Sequence, residues 1–286
     1  MSNALSNWKT ITVFLDSTPE GENVANHAAE LAHHCGAYLV GIHALPSYPD
    51  EHPTSTFALG ARAVNEVIAE QEADEREEIR AVRHCLQAIA HRHGVASEMR
   101  IIQGETTDED LVAASRCCDL IVLGYPKHPG LPKNWSAGRL LMEIGGPMLI
   151  VPTRRETTTI GRNVVVAWNG SREALGAVRD AMPFLTTAHK VTVLIIDPEK
   201  SGHKFHKKPG ADLSGYLARR SVHARITQLR TQGSSVADAI LSAIADQSAD
   251  LLVIGAYSHA RLAEEIFGGV TQTLLSRTTV PLLLSV

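Results

Sequence analysis

One order of elements occurs twice along this chain of 286 residues. The first copy opens with the apolar run "TITVFLDST" (10–18), ending at Asp16, and continues into "NVANHAAELAHHCG" (23–36), whose alanines and leucines recur at helical spacing and stop at Gly36. The second opens with "NVVVAWNGS" (163–171), ending at Asn169, and continues into "REALGAVRDAMPFL" (172–185). β-rich runs closed by proline follow in both, "AYLVGIHALP" (37–46) and "KVTVLIIDP" (190–198). Each copy then has a variable segment, a short strand running to Gly104 or Gly233, and a helix. "DLIVLG" (119–124) and "DLLVIG" (250–255) come next, and the copies close on "PMLIVPT" (147–153) and "VPLLLSV" (280–286). Self-similarity at this scale means two structural units. The threonine-rich stretch 153–162 separates them, giving units 1–153 and 160–286.

Strands alternating with helices imply parallel sheets, because parallel neighbours need crossover connections, and the unbroken apolar character of "LIVLG" and "LLVIG" fits strands covered on both faces. The expected fold class is α/β, with two tandem, doubly wound, five-stranded parallel-sheet domains of Rossmann-like type. In the first unit the variable segment predicts a long charged helix over about residues 60–93. Its Glu66, Glu70, Glu72, Glu75, Glu77 and Glu78 read as a solvated face.

Composition narrows the function. A net charge of -4 provides no broad cationic surface, so nucleic acid is not an expected partner. No apolar run approaches the roughly 18 residues of a membrane span, and the opening residues lack a basic segment with a long apolar run, so the expected location is cytoplasmic. Cys35, Cys85, Cys117 and Cys118 have neither the spacing nor the histidine neighbours of a zinc site, and the adjacent Cys117 and Cys118, just before an apolar strand, read as packing residues, with a redox role as the alternative. No Walker A sequence, nucleophile elbow or paired metal motif is present, so the chain is poorly equipped as an enzyme.

The ordered set "VVVAWNGS", "RTQGSSVADAI", "DLLVIGAYSHARLAEEIFGGVTQTLL" and "VPLLLSV" resembles the universal stress protein family, in a tandem arrangement covering essentially the whole chain. The resemblance implies a site for ATP or another adenine nucleotide, with Mg as its companion, at the carboxyl ends of the strands of the second unit. Ligands of open α/β sheets lie there on physical grounds as well. The family's phosphate motif is glycine, two residues, glycine, nine residues, then glycine followed by serine or threonine. In this chain it falls on Gly255, Ser258, Gly268 and Gly269, with Val270 and Thr271 next. The middle glycine is therefore a serine, and the expected hydroxyl residue is a glycine. Asn169 stands where the family has an acidic residue, Ile196 and Ile254 would face the adenine, and His259 and Arg261 would meet phosphate charge, as would the basic segment 203–208. In the first unit Asp16 and Ala44 match, but Lys127 replaces the second glycine and prolines interrupt the loop, so loss of phosphate binding is expected there.

The reading that follows is a stress-response module that binds adenine nucleotide in its second unit. The alternative is a nucleotide-independent interaction scaffold with a degenerate pocket; a slow ATPase is third. Family members commonly pair through the last strand, so "PMLIVPT" and "VPLLLSV" would meet within one chain as an intramolecular pseudo-dimer, with an unknown protein partner and a further homodimer left open.

Overall fold

The computed structural model describes residues 8–45, 61–102, 108–153, 159–199, 208–256 and 269–286. The first unit runs β1 (Thr10–Phe14), α1 (Pro19–Cys35), β2 (Tyr38–Ala44), α2 (Ala61–His93), β3 (Ser97–Ile102), α3 (Asp108–Arg116), β4 (Leu120–Tyr125), α4 (Ala137–Ile144) and β5 (Met148–Pro152). The second runs β6 (Asn163–Ala167), α5 (Arg172–Asp180), α6 (Met182–Leu185), β7 (Lys190–Ile196), α7 (Ala211–Ala218), β8 (Ala224–Leu229), α8 (Val236–Asp246), β9 (Leu251–Gly255), α9 (Gly269–Arg277) and β10 (Leu282–Ser285). The long predicted helix is α2, while its counterpart α7 is far shorter.

The strands form one ten-stranded sheet in the order β3-β2-β1-β4-β5-β10-β9-β6-β7-β8. Pairing within each unit is parallel, and the units join through an antiparallel β5–β10 pair with Leu283 opposite Leu149. The two five-stranded sheets expected from the repeat are thus halves of one sheet. Pairing β5 with β10 also leaves neither strand as an exposed edge.

Alternation along the strands sends side chains to two cores. Ile11, Val13 and Leu15 face one with α1 and α2, whereas Phe14 faces the other with Leu140 and Leu141 of α4. Helix ends are fixed locally. Thr18 and Ser171 cap α1 and α5 by accepting from Gly21 N and Ala174 N, and Ser235 forms a capping box with Asp238 on α8.

The aspartate before each fourth strand fastens the chain entering the first. Asp250, buried, accepts from the backbone N–H groups of Gly161, Arg162 and Asn163 at 3.2, 3.1 and 2.8 Å. Asp119 accepts from Lys9 N and Thr10 N at 2.6 and 2.9 Å. The repeated "DL(I/L)V" signal therefore encodes a brace across the β1–β4 and β6–β9 pairs. Glutamates on α2 are exposed, as expected, at Glu66, Glu70 and Glu72. Glu78 is an exception, since its carboxylate reaches within 3.1 Å of Nε2 on buried His43, without hydrogen-bond geometry.

Candidate functional site: the strand ends of two unlike units

In each unit the strand order reverses between the first and fourth strands, which opens a crevice beyond their carboxyl ends. In the second unit this lies between β6 and β9, where Ala167 is in register with Ile254. Asn169 follows β6 and Gly255 ends β9, so two predicted site residues lie at the ends of the neighbouring strands that flank the switch point. Asn169 Oδ1 accepts from Ser171 N at 3.0 Å, which forms the turn into α5. With one lone pair of Oδ1 so engaged, Asn169 retains a second acceptor position and its Nδ2 donors.

Gly255 has a packing duty of its own. A Cβ there would stand 2.4 Å from the Glu173 carbonyl carbon and 2.5 Å from Ala174 N, so the first turn of α5 presses directly on the end of β9. Ile254 is buried at 9 % exposure, and Ile196, at the end of β7, packs against the same core. Glu173, also 9 % exposed, places a carboxylate in that first turn beside Arg172 Nε at 3.0 Å. Burial acts to raise its pKa, but bonds from its own backbone N–H, Arg172 and Ser171 outweigh that and hold it below the usual range.

α9 begins at Gly269. Among the described residues nothing lies within 4 Å of where a Gly269 Cβ would be, and Val270 is exposed. Thr271 is 5 % exposed and shares the inner face of α9 with Leu274 and Leu275, so its side chain belongs to the core. The first turn therefore presents backbone donors rather than a hydroxyl. Ser258, His259, Arg261 and Gly268 lie outside the described residues, as does most of the basic segment.

The first unit uses the equivalent crevice differently. Asp16 Oδ1 accepts from Thr18 N at 3.0 Å and from the Thr18 hydroxyl, the same turn as at Asn169. The loop after β4 then folds back over the strand ends. Gly130, at φ +75°, sits so close to β1 that a Cβ would meet the Leu15 carbonyl oxygen at 2.2 Å. Its carbonyl accepts from Ala44 N at 2.9 Å, using the backbone donor of the predicted adenine-side residue. Pro129 Cδ would be 2.9 Å from a Cβ at Gly124, and His128 Nδ1 donates to Gly124 O at 2.6 Å. Lys127, in place of the second glycine, pairs at the surface with Glu20 at 2.8 Å. Trp135 is buried beneath the loop's far end, with the Arg139 guanidinium 4.2 Å from its ring centroid. The segment "YPKHPGLPKNW" is a plug made of the unit's own chain. The prolines that interrupt the phosphate loop are the sequence signal for it.

No group of three or more metal-ligating side chains occurs among the described residues. None of the four cysteines forms a disulfide; Cys118 is part-buried, and burial pushes its thiol up to about 11. Cys117 is exposed, so the packing role expected of the pair falls to Cys118 alone. No helix among the described residues is long and apolar enough to cross a membrane.

Comparison with known proteins agrees with this architecture. The pattern of the universal stress protein family matches residues 7–144 and again 161–285. A universal stress protein from Archaeoglobus fulgidus DSM 4304 superposes with a TM-score of 0.67 at 12% identity, covering 99% of this chain and 98% of its own. A functionally unknown protein from Pseudomonas aeruginosa PAO1 gives 0.60 at 14% identity, covering 99% and 94%. A universal stress protein solved in complex with cAMP covers 52% of this chain and 99% of its own, at 20% identity and a TM-score of 0.33. No curated protein sequence matches the chain.

Proposed function

We propose, because this chain belongs to the universal stress protein family as a tandem of two units, that its second unit binds an adenine nucleotide beyond the carboxyl ends of β6 and β9. The observation that carries the reading is the placement of Asn169 and Gly255 at the ends of neighbouring strands β6 and β9, just beyond the Ala167–Ile254 register. The adenine would lie toward Ile196 and Ile254. The phosphates would lie toward the residues leading into α9, where backbone N–H groups and the positive end of the helix favour an anion. Ser258, His259, Arg261 and Gly268 would complete that end, and Mg would arrive with the phosphates of ATP. The first unit, plugged by Gly130, takes no nucleotide and serves as a structural counterpart. Occupancy of the second unit would alter the surface offered to a protein partner in the stress response of a cytoplasmic protein.

The packing of Gly255 against α5 favours a second reading, a scaffold without nucleotide, since that glycine is needed whether or not a ligand binds. Calorimetry with ATP, with and without magnesium, separates the two. The nucleotide reading expects one saturable site per chain. Absence of heat and of any thermal shift at millimolar ATP ends that reading and leaves the scaffold.

A further inference from the structure

The two units also meet away from the β5–β10 seam. Trp8, just before β1, stands edge-on to Phe184 of α6, with ring centroids 5.2 Å apart and planes at 77°. Beside this pair is a cavity of about 450 Å³, walled by the C-terminal half of α1, the approach to β6, and α6 with the turn into β7. That volume lies within the roughly 300–1,000 Å³ range of small-molecule sites. The proposed nucleotide crevice shares none of its lining residues.

Its construction is firm. Asp250 clamps the backbone of Gly161 and Arg162, while Arg162 O accepts from His189 N at 2.9 Å, which ties two strand approaches together. Gly161 has φ +88°, and a Cβ there would come 2.5 Å from the Phe184 ring, so the glycine is what lets that ring form the wall. The apolar surface comes from Trp8, Leu31, Ile160 and Phe184. The polar groups are divided between the walls. The second unit contributes Arg162, Thr187 and His189, none of them an acid, while the first unit's α1 contributes Glu30 with His27 and His34.

An edge-to-face aromatic pair, with Arg162 on the second unit's wall and Glu30 on the first unit's, and histidines on both, suits a ligand with an aromatic body and one anionic end. The ring is buried against Trp8 and Phe184, where edge and face contacts add to area burial. The anionic end points to the second unit's wall, where an Arg fork matches a carboxylate. We propose that this inter-unit cavity is a binding site for a small aromatic carboxylic acid, separate from the nucleotide crevice.

Calorimetry on the full chain with 2-naphthoate tests it, with 2-naphthylmethanol as the neutral probe of the same shape. One saturable site for the acid is expected, with affinity about tenfold above that of the alcohol. Arg162→Glu keeps the backbone bonds to Asp250 and should cost the acid about tenfold or more while changing the alcohol by less than about twofold, consistent with charge acting at one end of the site. His189→Glu should act in the same direction, with unchanged melting as the check on folding. Equal binding of the two probes, acid binding indifferent to both substitutions, no saturation at millimolar acid, or displacement of the acid by ATP would each overturn the proposal.

Discussion

Gly130 rests on the backbone of Leu15 with no room for a side chain, since a Cβ would lie 2.2 Å from the Leu15 carbonyl oxygen. The same residue holds Ala44 N through its carbonyl. One glycine thus closes the first unit by covering the end of β1 and engaging the end of β2. Gly130→Ala adds both a backbone collision and the strain of φ +75°, and the collision is with main chain that has nowhere to go. The expected loss is about 2–4 kcal/mol by urea unfolding. An unchanged midpoint would mean that the plug is not seated on β1.

A second substitution separates packing from ligand contact in the second unit. Gly255→Ala would collide with the main chain of α5 and should destabilise the fold by about 2 kcal/mol or more, so a carboxylate introduced there reports on folding rather than on phosphate. Gly269 is the better probe, because no described residue crowds the position of its Cβ. Gly269→Asp places an acid in the first turn of α9, which helix electrostatics tolerates, and sets it against any phosphate bound there. The expected outcome is an unchanged melting temperature with ATP affinity lowered about tenfold or more, as repulsion of about 1.4 kcal/mol would give. Full ATP affinity in a folded Gly269→Asp protein would remove the phosphates from α9.

The repeat made much of this architecture legible. Its strands and the 60–93 helix follow from local runs of apolar residues whose period is visible in one dimension, whereas the meeting of β5 with β10 follows from the family resemblance. The brace by Asp119 and Asp250 was visible as a repeated letter without its cause, because its partners at Lys9, Thr10 and 161–163 are distant in sequence. The motif spacing marks Gly255 as a phosphate residue, yet the contact that demands a glycine is with Glu173 and Ala174, which no spacing rule within the loop reveals. The plug and the Trp8–Phe184 contact depend on where loops land after the sheet has formed, and pattern reading does not reach that step.

The brace yields its own prediction. Asp250→Ala removes the acceptor of three backbone N–H groups near a buried position, and charged-acceptor bonds of this kind are worth about 1.5–3 kcal/mol each before solvent is readmitted. A net loss of about 2–4 kcal/mol is expected on unfolding by urea. Asp119→Ala, with two such bonds, should lose less. Equal losses, or none, would make the aspartates incidental to the strand approaches.

The last prediction concerns pH and the plug. Burial lowers the pKa of His128 from 6.5, only partly opposed by its bond to Gly124 O, so the folded chain favours the neutral ring. The unfolded chain, with an ordinary imidazole, takes up a proton first as pH falls. Stability tied to neutral His128 is therefore fully present above the unfolded value of 6.5 and is lost as pH drops from there to the lowered folded value. Asn at this position keeps an N–H donor for Gly124 without titrating. His128→Asn should then show a smaller decline in unfolding free energy through that acid window than the parent chain, and NMR titration of the His128 ring should give a midpoint below that of a free imidazole. A midpoint at or above the ordinary value, or identical pH profiles for the two proteins, would mean that the ring is not enclosed by the loop that covers β1 and β2.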